Sequence, residues 1–203
     1  GTTANVTIKD TTISASSGNA TIKTEGKGNV NLNVEGTNNV TGSFRHAGVE
    51  KSNEGNLTIG SESGNGKLTA NGGEFGAGSG GGFTGNGSDI TISGGEVTAN
   101  GGTNGAGIGG GVRASGRDIT ISGDSQVKAA GGAGDSYDGC GAAIGNGGYN
   151  RMGERFDGSE IEPDTSGLYT TGKVARKRGD GTVLDTIVGK VDPSAKSASS
   201  KEE

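Results

Sequence analysis

The sequence predicts an all-β protein, a right-handed parallel β-helix with coils of about 29 residues and a C-terminal β-hairpin cap. Three observations lead to this fold class: an internal repeat, a period-two alternation of apolar residues inside each copy, and an unusual composition. The 203 residues include 46 Gly, 2 Pro and no Trp, and 27 % of them are hydrophobic. Soluble domains usually carry roughly 45–50 % apolar residues, so a broad core is excluded and a narrow, repetitive core is favoured.

The repeat is clearest in one hexapeptide. Asp-Ile-Thr-Ile-Ser-Gly stands at residues 89–94 and again at 118–123, and a looser copy stands at 56–60. In Ile-Thr-Ile-Ser the two isoleucines share one face of a strand and the polar residues share the other. Each copy is followed by a second short apolar element, a Gly pair and a Gly-Ala-rich third element. Three strands and three turns of this kind describe one coil of a three-sided solenoid.

The repeat register also predicts the core. We expect equivalent residues of successive coils to stack in the interior, with Ile90 against Ile119 and Val97 against Val127. A column of such residues needs few apolar side chains, which agrees with the composition. The glycines between the strands are expected to supply corners with positive φ.

The single cysteine belongs to the third element of its coil. Counting back by two from the apolar residues of this element places Cys140, Asn104 and Phe75 on the inward face. Cys140 is therefore predicted to be a buried small hydrophobe and not a reactive thiol. One Cys and one His in the whole chain exclude metal sites of the Cys/His kind.

Three regions are expected along the chain. Residues 1–148 form the parallel β-helix, residues 149–191 form an irregular segment and a capping hairpin, and residues 192–203 form a flexible tail. The hairpin is predicted from two strand-like runs, 168–177 and 182–188, on either side of Arg-Gly-Asp-Gly. It would close the end of the solenoid, where open strand edges invite aggregation.

Charge and hydropathy exclude two classes of partner. The net charge is −5, so the basic surface of a nucleic-acid-binding protein is not expected. No apolar run approaches the roughly 18 residues that a membrane-spanning helix needs, so membrane insertion is not expected.

Residues 89–111, from Asp-Ile-Thr-Ile-Ser-Gly-Gly-Glu-Val-Thr-Ala-Asn-Gly-Gly to Gly-Ala-Gly-Ile-Gly-Gly-Gly, resemble a known group of modules. The group comprises glycine-rich β-helix repeats of secreted and surface proteins of Gram-positive anaerobic bacteria, which are pectate-lyase-like and often labelled carbohydrate-binding. The resemblance covers about residues 5–148 and carries over no functional residue. It implies a module of a larger bacterial protein, extracellular or on the cell surface. The implied function is non-catalytic and adhesin-like, with a glycan or a host protein as partner.

Two other functions remain open, a purely structural stalk and a polysaccharide lyase. Asp89 and Asp118 hold equivalent positions and could act together, as glycoside hydrolysis requires. Asn56 at the same position of the earlier copy favours a turn-forming role instead. No nucleophile motif such as Gly-x-Ser-x-Gly accompanies the single histidine, so His46 is expected to be a solvent-facing loop residue. The sequence therefore predicts no catalytic residue, no metal and no cofactor.

The candidate ligand surface is placed late in the chain. Exposed aromatic residues offer large contact areas to sugars and proteins. Two tyrosines flank the third element of the last coil, and the first of them lies in a loop that is expanded relative to the other coils. The predicted ligand-binding residues are Asp135, Tyr137, Asp138, Tyr149 and Arg151. A calcium site at the two aspartates stays an alternative, because Gly-Gly-Ala-Gly-Asp before them is similar to a calcium-binding solenoid repeat. The other alternative is a plain glycine-rich turn whose side chains are solvated.

Overall fold

The protein, described by a computed structural model over residues 1–194, is a β-solenoid. Three sheets, here called A, B and C, each receive one strand from every coil, and the chain completes about four turns of roughly 29 residues. The predicted fold class is confirmed. Within residues 1–194 there is no α-helix, and so no helix of a length that could cross a lipid bilayer. From residue 195 onward, the predicted tail lies outside the described residues.

Sheets A and C hold five strands each, and sheet B holds seven. Sheet A contains β1 (Thr3–Lys9), β4 (Asn29–Glu35), β7 (Leu57–Gly60), β10 (Gly87–Ile92) and β13 (Gly116–Ile121). Sheet B contains β2 (Thr12–Ser14), β5 (Thr37–Thr41), β8 (Lys67–Asn71), β11 (Glu96–Asn100), β14 (Gln126–Ala130), β18 (Lys173–Lys177) and β19 (Val183–Val188). Sheet C contains β3 (Ile22–Thr24), β6 (Val49–Lys51), β9 (Ser79–Gly80), β12 (Ile108–Gly109) and β15 (Ile144–Gly145). A separate hairpin consists of β16 (Tyr149–Arg151) and β17 (Glu154–Phe156).

The interior is a column of stacked aliphatic side chains, as predicted. Parallel pairing of β10 with β13 sets Ile90 opposite Ile119, and pairing of β11 with β14 sets Val97 opposite Val127. None of these four side chains is more than 2 % exposed. The alternation of buried and half-buried residues along β11 shows why Val-Thr-Ala forms a strand with one inward face.

The Gly pairs between sheets B and C serve a different purpose from the one predicted. Gly73, Gly102 and Gly132 lie in one column and none of them has a positive φ, so the expectation is wrong for these pairs. A Cβ atom on Gly102 would lie 1.9 Å from the carbonyl oxygen of Gly73, and one on Gly132 would lie 1.7 Å from that of Gly102. Glycine is required here because each coil touches the backbone of the coil beside it.

The cap is built from the end of the chain and is joined to the solenoid by strand pairing. Strand β18 continues sheet B, pairing in parallel with β14, and β19 turns back antiparallel to β18. The predicted hairpin is therefore confirmed. Before this hairpin, the fully buried Leu168 joins the core and forms a parallel β-bridge with Gly123, which follows β13. Residues 149–191 close the C-terminal end of sheets A, B and C.

Candidate ligand-binding surface

The expanded loop between β14 and β15 is held closed by Asp135. Its Oδ1 accepts hydrogen bonds from the backbone N–H groups of Tyr137 and Asp138, both at 2.7 Å. Burial acts to raise the pKa of Asp135, but these N–H donors outweigh it and the pKa lies below the ordinary value. The aspartate is thus an ionised turn former. The turn holds Tyr137 at the loop tip, where it is 71 % exposed.

Asp138 points inward from the same loop and is only 4 % exposed. Its carboxylate accepts a bifurcated hydrogen bond from the single N–H of Arg113 Nε, with Nε 2.9 Å from Oδ1 and 3.2 Å from Oδ2. Its backbone carbonyl accepts a further bond from the Nδ2 group of Asn104, which is fully buried. Asp138 therefore anchors the loop to the preceding coil, and its carboxylate is not presented to solvent.

Strands β16 and β17 place a second group of residues beside this loop. The rings of Tyr149 and Phe156 stack with centroids 5.1 Å apart and planes 13° from parallel. Asn150 Nδ2 donates to the carbonyl oxygen of Tyr137 at 2.8 Å, and Arg155 Nη1 donates to that of Asp135. Hydrogen bonds therefore fix the hairpin against the loop.

All five predicted residues meet in this region, but in different roles. Tyr137, Tyr149 and Arg151 reach solvent, whereas Asp135 and Asp138 shape and anchor the loop. We name the exposed set with the stacked ring of Phe156 the tyrosine surface; its members are Tyr137, Tyr149, Arg151 and Phe156. The calcium alternative is disfavoured, because Oδ1 of Asp135 accepts two backbone N–H bonds and the Asp138 carboxylate is paired with Arg113.

Sequence reasoning missed Phe156 and the supports Asn150 and Arg113. The hairpin turns at Met152 and Gly153, whose φ values are 54° and 85°. The glycine of this pair was the signal for the hairpin in the sequence. Two residues with positive φ are the mark of the type I′ turns that favour two-residue hairpins. The high charge of residues 149–165 concealed this pattern.

Cys140 lies buried beneath the same region, as predicted. Its Sγ atom and carboxylate oxygens of Asp157 and Asp180 lie within 4.8 Å of one another. Burial, followed by the Asp157 carboxylate, raises the pKa of Cys140 to about 11. The thiol is therefore protonated at neutral pH, as expected for a buried cysteine that is not a nucleophile. Asn104 is also buried as predicted, but Phe75 is only half-buried and turns its ring to the surface.

Asp89 and Asp118 do not form the turns before their strands, which the sequence favoured, but lie inside β10 and β13, where the pairing register skips them. Both have positive φ, 56° and 52°, immediately before the inward isoleucines of β10 and β13. They line a groove with Glu162 and Asp164, which come from the segment after the repeats and could not be aligned with them. Among residues 1–194 these groups do not come close enough to form a cluster of three metal-ligating atoms.

His46 is not the solvent-facing residue that was expected. Its Nδ1 atom lies 2.8 Å from Glu50 Oε2, and both side chains are largely withdrawn from solvent. Glu50 also accepts a hydrogen bond from the backbone N–H of Ala47. The pair holds a corner of the second coil in place.

Comparison with protein-family models, with curated proteins and with solved structures finds no match to this chain.

Proposed function

We propose that this protein is a non-catalytic binding module of a bacterial extracellular or cell-surface protein, and that it holds a glycan at the tyrosine surface. The observation that carries the proposal is Tyr137, a large aromatic side chain 71 % exposed on a loop that hydrogen bonds hold rigid. An exposed aromatic residue on an ordered loop loses little conformational entropy when it binds a ligand. The bacterial surface location rests on the resemblance of the glycine-rich repeats.

The chemistry of the tyrosine surface favours a sugar. Tyr149 is stacked flat on Phe156, so the pair presents a broad ring face of the kind on which a sugar ring packs. Arg151 adds guanidinium donors beside it and has no ion-pair partner within the described residues. Aromatic faces bordered by hydrogen-bond donors suit a ligand with both apolar ring faces and hydroxyl groups.

A glycan array and a panel of host extracellular-matrix proteins, probed with the whole chain, test the proposal. We expect binding to at least one glycan, with affinity at least tenfold weaker, about 1.4 kcal/mol, in Tyr137→Ala and in Tyr149→Ala. Tyr169→Ala is the matched control, because this tyrosine lies in the cap beside Gly123 and away from the tyrosine surface.

Three outcomes would contradict the proposal, and each would favour a different ligand or function. Binding only to a host protein would replace the glycan by a protein ligand. Binding to neither class by a folded protein would favour the structural stalk. Depolymerisation of a bound polysaccharide would favour the lyase.

A further inference from the structure

A second aromatic surface lies two to three coils away from the tyrosine surface. The rings of Phe44 and Phe75 meet with centroids 5.7 Å apart, and those of Phe75 and Phe83 with centroids 5.9 Å apart, both edge to face at 68°. The guanidinium of Arg45 lies 5.0 Å from the ring centre of Phe44 and 4.4 Å from that of Phe83. We name these four residues the phenylalanine patch. It holds three of the four phenylalanines of the chain.

The patch is largely open to solvent. Phe44 is 48 % exposed and Phe83 is 37 % exposed. Grouped exposed aromatic side chains on a soluble protein are uncommon away from interaction surfaces. The exposure of these rings therefore indicates an interaction surface.

The backbone beneath the patch adopts an unfavourable conformation. Arg45, Phe75 and Asn104 occupy the same corner of successive coils, since Arg45 N–H donates to Glu74 O at 2.8 Å, Phe75 N–H to Thr103 O at 3.1 Å and Asn104 N–H to Ala133 O at 2.8 Å. All three have positive φ, at 70°, 72° and 61°. Asparagine tolerates this conformation, but arginine and phenylalanine do not favour it. Strain of this kind is concentrated at functional sites.

Arg45 has no carboxylate partner in the part of the chain that the structure describes. No ion pair within residues 1–194 includes Arg45, and Glu50 at the same corner is bound to His46. The guanidinium is instead held by the two ring faces, which leaves its N–H donors directed to solvent. A guanidinium fixed in this way matches a carboxylate, which can accept two parallel hydrogen bonds from it.

The phenylalanine patch suits a peptide better than a sugar. Arg45 covers one face of Phe44 and of Phe83, and the rings meet edge to face, so no broad flat platform remains. Ring edges and the clefts between them accommodate aliphatic or aromatic side chains. Aromatic residues with a central arginine are also the composition of energetic centres in protein–protein interfaces.

We propose that the phenylalanine patch is a docking site for an acidic peptide segment of a partner protein. A carboxylate of the segment pairs with Arg45, and a neighbouring apolar side chain packs against Phe44 and Phe83. This site is separate from the glycan surface and does not depend on it.

Selection from a random peptide library displayed on phage tests the proposal. The library is first depleted on Arg45→Asn and then selected on the unmodified chain. Asparagine is the chosen replacement because it accepts the positive φ of this corner, as Asn104 does in a later coil. The variant should therefore fold at least as well as the parent, which thermal unfolding checks.

We expect the enriched peptides to carry Asp or Glu beside an aromatic or aliphatic residue. A synthetic copy of the most enriched peptide should bind at least tenfold more weakly to Arg45→Asn and to Phe44→Ala. Replacing its acidic residue by the matching amide should weaken binding to the parent to a similar degree. Arg117→Asn, which removes an exposed arginine outside both candidate surfaces, is the matched control and should bind the peptide unchanged.

The proposal is overturned if no peptide is enriched, if enriched peptides lack an acidic residue, or if Arg45→Asn binds them as the parent does. Binding of an acidic glycan that Arg45→Asn alone abolishes, with no peptide selected, would assign the patch to glycans and also overturn it. The glycan proposal is tested separately by Tyr137→Ala, so failure of either proposal leaves the other intact.

Discussion

Arg113 Nε lies 2.9 Å from Asp138 Oδ1 and 3.2 Å from Asp138 Oδ2, and this contact ties the expanded loop of the last coil to the coil before it. The carboxylate is buried, whereas the guanidinium is about half exposed. Hydrogen bonding to Asp138 raises the pKa of Arg113. Tyr137, the most exposed residue of the tyrosine surface, is the neighbour of Asp138 in the chain, so its position depends on this pair.

Removing either partner should destabilise the protein. We expect Asp138→Ala and Arg113→Ala each to lower the free energy of unfolding by about 2 kcal/mol, since a charged hydrogen bond is lost and, in the second case, a buried carboxylate is left without a partner. A double-mutant cycle in urea should give a coupling of about 1–2 kcal/mol. The matched control is Arg117→Ala, whose partner Asp118 is exposed and whose effect should stay below about 0.5 kcal/mol. A coupling near zero would show that the pair does not hold the loop.

Gly102→Ala should be severely destabilising. A Cβ atom there would lie 1.9 Å from the carbonyl oxygen of Gly73, so two coils would have to move apart. We expect a loss of about 3 kcal/mol or more, at the upper end of overpacking effects, or failure to fold. In Gly167→Ala the added methyl group would meet only the Ser122 side chain, at 3.2 Å, and we expect a loss of less than about 1 kcal/mol. Similar urea midpoints for the two variants would contradict the close approach of the coils.

Side chains of the apolar column should contribute more to the free energy of unfolding in the middle of the solenoid than at its N-terminal end. Strand pairing aligns Val6, Leu32, Ile59 and Ile92 in one inward row. Ile92 is fully buried, whereas Val6 in the first coil is 46 % exposed. We expect Ile92→Ala to reduce the free energy of unfolding by about 2–5 kcal/mol and Val6→Ala by less than about 1 kcal/mol. Equal losses, measured by urea unfolding, would be inconsistent with this gradient of burial.

Cys140 should react slowly with thiol reagents. Its pKa is raised to about 11 from 9.0, mainly by burial, so at pH 8 the folded protein holds about a hundredfold less thiolate than a free cysteine does. We expect labelling by iodoacetamide to be slower than that of the urea-unfolded chain by at least this factor. Labelling of the native protein within seconds would show that the thiol is accessible.

The raised pKa of Cys140 should also lower the free energy of unfolding at alkaline pH. The folded pKa lies above the unfolded value, so the stability from burying the neutral thiol is complete below pH 9 and is lost as the pH rises toward 11. Over this range we expect the parent chain to lose about 1–2 kcal/mol more than Cys140→Ala. Parallel pH profiles of the two proteins would contradict the raised pKa.

The sequence by itself determined the repeat and the direction of side chains within strands. Inside a strand, residues alternate between two faces, so the recurrence of Ile90 at Ile119 was enough to predict both the fold and the stacked core. The terminal hairpin followed from two strand-like runs around a glycine-rich turn in the same way. The position of the expanded loop was predictable because it departs from the repeat length.

The role of the glycine pairs was decided by tertiary structure. The glycines between strands were predicted to supply corners with positive φ, but what requires glycine at Gly102 is the carbonyl oxygen of Gly73 in the preceding coil. That distance depends on how the coils stack, which the chain does not reveal locally. In contrast, positive φ occurs at Arg45 and Phe75, where the residue types give no hint of it.

Both candidate surfaces depend on contacts between parts of the chain that no period relates. Asp138 and Tyr137 are adjacent in an irregular loop, yet Arg113 draws one inward while the other stays exposed. Phe44 and Phe75 meet only because the backbone at their corners takes positive φ and neighbouring coils stack. Periodicity decides the direction of a side chain only where the backbone is regular. At corners and inserted loops that direction follows from local dihedral angles and from contacts across coils, and only the folded structure contains these.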